Sequence, residues 1–233
     1  MKNLDFVHRF VPAARTPPSR TLLLLHGTGG DENDLLDLGR AIDPDAALLS
    51  PRGKILENGA PRFFRRLAEG VFDEADVETR AHELARFVTS AAAAYEIGLS
   101  RLLAVGYSNG ANIAAAMLLL GVAPFQQAIL FRPMVPLTRI EPPDLKSATL
   151  LLSAGQRDPI AQPAIVQQLA ELFRSAGATV DLVSQPSGHE LTAADVATAQ
   201  RWIARLGTRR SQSPDKWDET SSSLPETFES DSG

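Results

Sequence analysis

The sequence predicts an α/β domain with a mostly parallel β-sheet and helices on both faces. Strand-like apolar runs alternate with helix-like segments along the chain, which is typical of this class. Several runs, such as residues 22–25 and 150–152, are continuously apolar. Strands buried on both faces have this composition because neither side contacts water. In such sheets, ligands bind at the carboxyl ends of the strands.

The alternation predicts the order of the elements. Hydrophobic patterning and turn residues place strands at residues 4–10, 21–25, 46–50, 101–105, 126–131, 148–153 and 179–184. Helices are predicted at residues 33–42, 76–96, 110–120, 163–176 and 193–206. No insertion is long enough to form a large lid, so we expect one domain with an accessible site.

Composition narrows the class of protein. A chain of 233 residues with 44% hydrophobic and 22% charged residues fits one globular domain. The net charge of −5 and the lack of a basic block argue against nucleic-acid binding. Cysteine is absent, which excludes disulfides and a cysteine nucleophile and fits a reducing compartment. The longest apolar stretch, residues 113–120, is too short to span a membrane, and the first eight residues lack the apolar segment of a secretory signal. We therefore expect a cytoplasmic protein.

The end of the sequence differs from the rest. Residues 1–207 form the predicted domain, and residues 208–233 contain seven serines and six acidic residues against three basic ones. This composition predicts a disordered tail. The alternative is a tail that docks on the domain through Trp217, Leu224 and Phe228.

The stretch Gly106-Tyr107-Ser108-Asn109-Gly110 lies between a predicted strand and a predicted helix. A G-x-S-x-G pattern in this position is typical of a nucleophile elbow, in which a tight turn lifts the serine Oγ above the sheet edge. The pattern also occurs by chance, so its interpretation depends on finding a base, an acid and oxyanion donors.

Candidate partners follow later strands. Enzymes with this elbow have the chain order serine, acid, histidine. Of four histidines, only His189 follows Ser108, in the loop after strand 179–184; the alternative is a surface-loop histidine. Asp158 follows the apolar run 150–152 and precedes Pro159; the alternative is an N-cap of the helix at 163–176.

The oxyanion donors are expected from backbone N–H groups. One is that of Asn109, directly after the serine, and the other is that of Thr28, in the glycine-rich loop His26-Gly27-Thr28-Gly29-Gly30. This loop lacks the Lys-Ser/Thr of a phosphate-binding loop. We expect His26 to bond the backbone of the loop.

In chain order, the sequence contains the glycine-rich loop at 26–30, the serine elbow at 106–110, the Asp158 segment and the His189 loop. These four motifs in this order resemble the carboxylesterase/phospholipase branch of the α/β-hydrolases, a branch that includes small bacterial carboxylesterases and is related to dienelactone hydrolases. The segments Arg62-Phe63-Phe64-Arg65-Arg66 and Phe131-Arg132-Pro133-Met134-Val135 resemble the small esterases. The resemblance implies a single α/β-hydrolase domain without a large lid. It also implies Ser108 as nucleophile, His189 as base, Asp158 as its orienting acid, and Thr28 and Asn109 as oxyanion donors. One departure is Asn109, where acyl-protein thioesterases typically carry glutamine.

The expected reaction is hydrolysis of short to medium soluble carboxylic esters through a covalent acyl-enzyme. A thioesterase or lysophospholipase with the same triad is an alternative, and a non-catalytic ligand-binding protein is another. No cofactor or metal is expected, and the expected partner is a small-molecule ester; the sequence leaves the oligomeric state open, a homodimer included. Apolar side chains that either line the pocket or belong to the core are Phe63, Phe64, Phe131, Met134 and Val135. Arg65, Arg66 and Arg132 either favour an anionic group or form surface ion pairs.

Overall fold

A seven-stranded sheet organises the protein. The computed structural model describes residues 4–15 and 18–211, with side chains up to Leu206. In chain order, the strands of this part are β1 (His8–Val11), β2 (Thr21–Leu25), β3 (Ala47–Pro51), β4 (Ile55–Glu57), β5 (Ala60–Arg62), β6 (Arg66–Ala68), β7 (Val71–Phe72), β8 (Leu102–Tyr107), β9 (Gln127–Phe131), β10 (Thr149–Gly155) and β11 (Thr179–Gln185). The main sheet has the order β1-β3-β2-β8-β9-β10-β11. Strand β1 pairs antiparallel with β3, and the other pairs are parallel.

Helices cover both faces of this sheet. They are α1 (Leu36–Ile42), α2 (Glu74–Ala94), α3 (Asn109–Leu119), α4 (Pro163–Ser175) and α5 (Ala193–Ser211). Alternate residues of β2 point to opposite faces: Leu23 and Leu25 join the core under α2, α3 and α4, whereas Leu22 and Leu24 join the core under α1 and α5. The predicted α/β class with a mostly parallel sheet is therefore confirmed.

The first strand begins later than predicted. The sequence predicted a strand over residues 4–10, but β1 begins at His8. Phe6 is buried and its ring packs against that of Phe87, with centroids 4.9 Å apart. The apolar alternation there reflects packing on α2 rather than pairing in the sheet.

Two short hairpins in residues 55–72 were not predicted. Strands β4 and β5 pair across Asn58-Gly59, whose φ angles are 51° and 82°. Strands β6 and β7 form the second hairpin. Asn-Gly is a strong signal for a two-residue turn that needs positive φ, so the first hairpin could have been found from the sequence. Together the hairpins form a small wall above the carboxyl edge of the sheet.

The last helix continues to Ser211, past the predicted domain boundary at residue 207. The rest of the predicted tail, including Trp217, Leu224 and Phe228, lies outside the described residues. Within residues 4–15 and 18–211, no helix is both long and apolar enough to cross a membrane.

Candidate active site

Ser108 occupies a sharp turn between β8 and α3. Its φ of 52° and ψ of −113° lie in a region that residues other than glycine rarely adopt. The Ser108 N–H donates to the Phe131 carbonyl at 2.9 Å, and the Asn112 N–H donates to the Ser108 carbonyl at 2.9 Å. These bonds hold both sides of the turn and leave the side chain at the carboxyl edge of the sheet.

The two glycines of the turn are required by close backbone contacts. A Cβ on Gly106 would lie 2.7 Å from the backbone of Ala111, and a Cβ on Gly110 would overlap the carbonyl oxygen of Leu25. Helix α3 can therefore begin directly against β2 and β8 only if both positions lack a side chain. The structure thus contains the predicted strand–turn–helix.

Three predicted residues meet at this turn. His189 Nε2 lies 2.9 Å from Ser108 Oγ, and His189 Nδ1 lies 2.8 Å from Asp158 Oδ2. Asp158 is buried, and its second oxygen accepts the N–H groups of Ile160 at 2.8 Å and Ala161 at 2.9 Å. A carboxylate accepts at both oxygens, so Nδ1 carries the proton toward Asp158 and Nε2 is left to accept from the serine hydroxyl.

The glycine-rich loop after β2 faces the same turn. Thr28 and Asn109 both line the cavity at Ser108. Among the described residues, no group accepts a hydrogen bond from the N–H of Thr28 or of Asn109. Two unused backbone donors beside a serine hydroxyl match the chemistry of an oxyanion hole.

His26 stabilises this loop from within. Its Nε2 accepts the Gly53 N–H at 2.9 Å, and its Nδ1 lies 2.6 Å from the Gly27 carbonyl. The first contact requires an unprotonated Nε2, so the ring is neutral and Nδ1–H donates to Gly27. Burial lowers the pKa of His26, which favours the same state.

The side chain of Asn109 ties the elbow to the hairpin wall. Its Oδ1 accepts the Phe63 N–H at 2.7 Å, which fixes the orientation of the amide. Its Nδ2 is buried and has no hydrogen-bond partner. An unmet amide donor costs about 1–3 kcal/mol, and this cost is borne at the predicted oxyanion residue.

A cavity of about 200 Å³ opens onto Ser108. Its lining comes from the elbow and the start of α3, the hairpin region, and the loops after β2, β9, β10 and β11, namely Thr28, Arg62, Arg66, Gly70, Phe72, Tyr107, Ser108, Asn109, Asn112, Met134, Ile160 and His189. Apolar walls come from Phe72, Met134 and Ile160. This is small beside the roughly 300–1,000 Å³ of sites that hold drug-sized ligands.

Of the five apolar pocket candidates, only Met134 lines this cavity. Phe63 and Phe64 are buried in the core under α2 and α3, where the Phe63 ring packs on His26 and the Phe64 ring packs edge-on to Phe72. Phe131 faces the opposite core, under α1 and α5, because alternation along β9 turns it away from the site. Val135 is partly buried against the first core. Of the two alternatives that the sequence left open, pocket lining holds for Met134 and core packing for Phe63, Phe64 and Phe131, and the lining residues Phe72 and Ile160 were missed.

Arg132 holds the loop that carries His189. It is fully buried, with a φ of 52°, and pairs with buried Asp195 at 2.9 Å. Its Nε donates to the Gly188 carbonyl at 3.0 Å and its Nη2 to the Glu190 carbonyl at 2.9 Å, so it binds the residues directly before and after His189. Both alternatives given for Arg132, a ligand-facing cation and a surface ion pair, are thus wrong. The positive φ turns the side chain under the loop instead of toward solvent.

Tyr107 binds the carbonyl of His189 itself, which lies between the Gly188 and Glu190 carbonyls. Its hydroxyl donates to the His189 carbonyl at 3.1 Å. Burial raises the pKa of Tyr107, so the hydroxyl remains a donor. The carbonyls of residues 188–190 are therefore all hydrogen-bonded by the side chains of Arg132 and Tyr107.

Comparison with known proteins gives a consistent result. Residues 7–206 match the family described as phospholipase/carboxylesterase. The chain is 49% identical over 181 residues to the putative hydrolase MhqD of Bacillus subtilis (strain 168), covering 78% of this chain and 90% of that protein.

Solved structures agree with the family match. A Bacillus cereus carboxylesterase is 42% identical with a TM-score of 0.84, over 87% of this chain and 95% of that one. A Mesorhizobium loti carboxylesterase is 33% identical with a TM-score of 0.82, over 88% and 97%. The fold, the extent of the match and these relatives lead to one conclusion: the chain belongs to the phospholipase/carboxylesterase family of α/β-hydrolases and is an ester-hydrolysing enzyme.

Proposed function

We propose that the protein is a serine carboxylesterase in which Ser108 forms a covalent acyl-enzyme with short to medium soluble esters. The observation that carries this proposal is the hydrogen-bond chain from Ser108 Oγ through His189 to Asp158, on a strained turn at the mouth of a cavity. A serine hydroxyl needs such a base because it is a weak nucleophile near neutral pH.

In the acylation step, His189 Nε2 takes the hydroxyl proton as Ser108 Oγ attacks the ester carbonyl carbon. The negative oxygen of the tetrahedral intermediate is stabilised by the N–H groups of Thr28 and Asn109. The intermediate collapses when the C–O bond to the alcohol breaks and His189 returns the proton to the leaving oxygen. Asp158 accepts the hydrogen bond from Nδ1–H and stabilises the imidazolium that forms in this step.

In the deacylation step, a water takes the place of the alcohol. His189 accepts a proton from this water as it attacks the acyl carbon, and then returns the proton to Ser108. The free acid leaves, and the enzyme is restored. The proton transfers between Ser108 and His189, and the support of His189 by Asp158, use groups that already lie within hydrogen-bonding distance of one another.

The cavity favours small acyl groups. Its volume of about 200 Å³ leaves little room for a long alkyl chain. This supports short esters over lysophospholipids. The proposal of a non-catalytic binding protein is disfavoured, since ligand binding does not need an aligned serine, histidine and aspartate.

The test is the hydrolysis of p-nitrophenyl acetate, butyrate, octanoate and palmitate by the wild type and by Ser108→Ala. We expect kcat/KM to fall as the chain lengthens, and Ser108→Ala to lose on the order of 10⁶-fold in kcat. Ser175→Ala, at an exposed serine at the end of α4, is the matched control and should keep wild-type activity. Equal activity of Ser108→Ala would overturn the nucleophile assignment, and a preference for palmitate would overturn the proposed substrate size. A parallel thioester series distinguishes an esterase from a thioesterase.

A further inference from the structure

The wall of the cavity carries two arginines, Arg62 and Arg66, and no carboxylate. Both come from the hairpin region, Arg62 at the end of β5 and Arg66 at the start of β6. A site for simple neutral esters has no use for two guanidinium groups beside its apolar surfaces. Their hydrogen-bond partners indicate whether they are purely structural.

Arg62 is a buried cation with spare donors. Only 4% of its side chain is exposed. Nε donates to the Phe64 carbonyl at 3.2 Å and lies 3.3 Å from Glu57 Oε2, and Nη1 donates to Thr28 Oγ1 at 2.9 Å. Among the described residues, no group accepts a hydrogen bond from Nη2. A guanidinium has five N–H donors, so part of this one is left for a ligand in the cavity.

Arg66 shares its counter-charge with Arg62. Its Nε donates to Glu57 Oε1 at 2.8 Å and its Nη2 lies 2.7 Å from the same oxygen. Glu57 is the only carboxylate within ion-pair distance of either arginine in the described part of the chain. Two cations and one anion leave one positive charge at the cavity. A partly buried positive charge without a partner is stabilised by an anion that reaches it.

Two other buried charges near the site have hydrogen-bond partners of their own. Buried Arg132 pairs with Asp195, and Asp158 is engaged by His189. Burial, and to a smaller extent the charge of Arg66, lowers the pKa of Arg62, while Glu57 acts in the opposite direction.

We propose that Arg62 and Arg66 bind a carboxylate carried by the ester substrate, so that the enzyme prefers esters with a free acid group. The inference rests on the proposed function and deepens it by naming the substrate class. The carboxylate is either on the acyl part, as in a dicarboxylic acid monoester, or on the alcohol part, as in an acylated hydroxy acid. Both present the same planar anion to the guanidinium groups.

Arg62 also has a second role, since its bond to Thr28 Oγ1 positions a predicted oxyanion donor. Loss of that role would slow neutral and anionic esters alike. Loss of anion binding would change the ratio of kcat/KM for an anionic ester to kcat/KM for its neutral partner. The ratio therefore separates the two roles.

The experiment measures this ratio for two pairs of esters. Monoethyl glutarate against diethyl glutarate, corrected for two ester bonds, tests the acyl side. 3-Acetoxybenzoate against its methyl ester tests the alcohol side. Wild type, Arg66→Gln, Arg62→Gln and the control Arg65→Gln are compared. Arg65→Gln makes the same charge change at the residue next to Arg66, but Arg65 pairs with Asp73 and Asp76 and does not line the cavity.

We expect kcat/KM of the wild type to be about tenfold higher for the anionic ester than for the neutral ester in at least one pair. The pair that shows this preference identifies whether the acyl part or the alcohol part carries the carboxylate. Arg66→Gln should lower this ratio about three- to tenfold and Arg62→Gln at least as much, whereas Arg65→Gln keeps it. Added salt should also lower the ratio by screening, because Arg66 is partly exposed.

A wild-type ratio of one or less in both pairs would overturn the inference, and so would a ratio that Arg66→Gln leaves unchanged. Arg66→Gln alone tests the proposed carboxylate binding, even where Arg62→Gln fails to fold. Failure of the proposed function is seen separately: neither member of a pair is hydrolysed in a Ser108-dependent way.

Discussion

The loop that carries His189 is predicted to depend on the buried Arg132–Asp195 pair. The five N–H groups of Arg132 make seven hydrogen-bonding contacts, some of them shared, with Gly188, Glu190, Ser187, Ser153 and both oxygens of Asp195. Replacing Arg132 with methionine removes them and leaves Asp195 buried without its cation. Loss of one partner of a buried pair costs about 3–5 kcal/mol, which is a large share of the roughly 5–15 kcal/mol that stabilises a domain.

The double variant Arg132→Met/Asp195→Asn separates stability from positioning. Asparagine removes the unpaired charge. Its single amide oxygen can still accept from Thr192, and its amide nitrogen can donate to Ser153 Oγ, whose hydroxyl donates to Asp195 in the wild type. We therefore expect the double variant to recover part of the free energy of unfolding lost in the single one. It does not restore the bonds to the Gly188 and Glu190 carbonyls, so His189 stays displaced. A displacement of about 1 Å is expected to lower kcat about 10²-fold with KM nearly unchanged.

The assay is urea unfolding together with kcat and KM for p-nitrophenyl acetate. Arg86→Met, at an exposed arginine on α2, is the matched control and should change the unfolding free energy by less than about 0.5 kcal/mol. A double variant that regains both stability and kcat would refute the reasoning, because it would show that Arg132 does not position His189.

Three further predictions concern the elbow, the oxyanion loop and the oxyanion residue. Gly110→Ala should destabilise the fold by about 3 kcal/mol or more, because its Cβ meets the Leu25 carbonyl; a change below about 1 kcal/mol in urea unfolding would contradict this. Because burial lowers the pKa of His26 below its ordinary value of about 6.5, stability from the neutral ring is full above that pH and is lost as pH falls toward the lowered pKa. His26→Gln should therefore flatten the pH dependence of the unfolding free energy between about pH 7 and 5. The control His82→Gln, at an exposed histidine, should leave this dependence unchanged. Equal slopes in the two variants would argue against a contribution from neutral His26. Asn109→Ala should lower stability, because it strands the Phe63 N–H, yet keep most of kcat, because the predicted oxyanion donor is backbone; a loss of kcat of about 10²-fold or more would assign the side chain a direct role.

The positions of the candidate catalytic residues could be predicted because they follow strands. Ser108 follows β8, Asp158 follows β10 and His189 follows β11, and these strands are parallel members of one sheet. Their carboxyl ends meet at one edge, so residues far apart in sequence lie together. Chain order and strand ends were enough to predict that these three side chains lie at the same edge of the sheet. In the structure they lie within hydrogen-bonding distance of one another.

The wall of the cavity could not be predicted in the same way. The number of residues between a side chain and the end of a strand does not determine whether that side chain points into the cavity, into the core or toward solvent. Phe131 is turned into the core by alternation along β9, and Arg132 is turned under the histidine loop by its positive φ. Its partner Asp195 is 63 residues away, and no local pattern links the two. The Asn58-Gly59 turn was the one local signal that could have placed the hairpin wall.

The central claim is that Ser108 is the nucleophile. Labelling of the native protein with a fluorophosphonate, followed by mass spectrometry of its peptides, tests this most directly. We expect one adduct, on the peptide that contains Ser108, no adduct in Ser108→Ala, and much slower labelling in His189→Ala. An adduct on another residue, or undiminished labelling of Ser108→Ala, would contradict it.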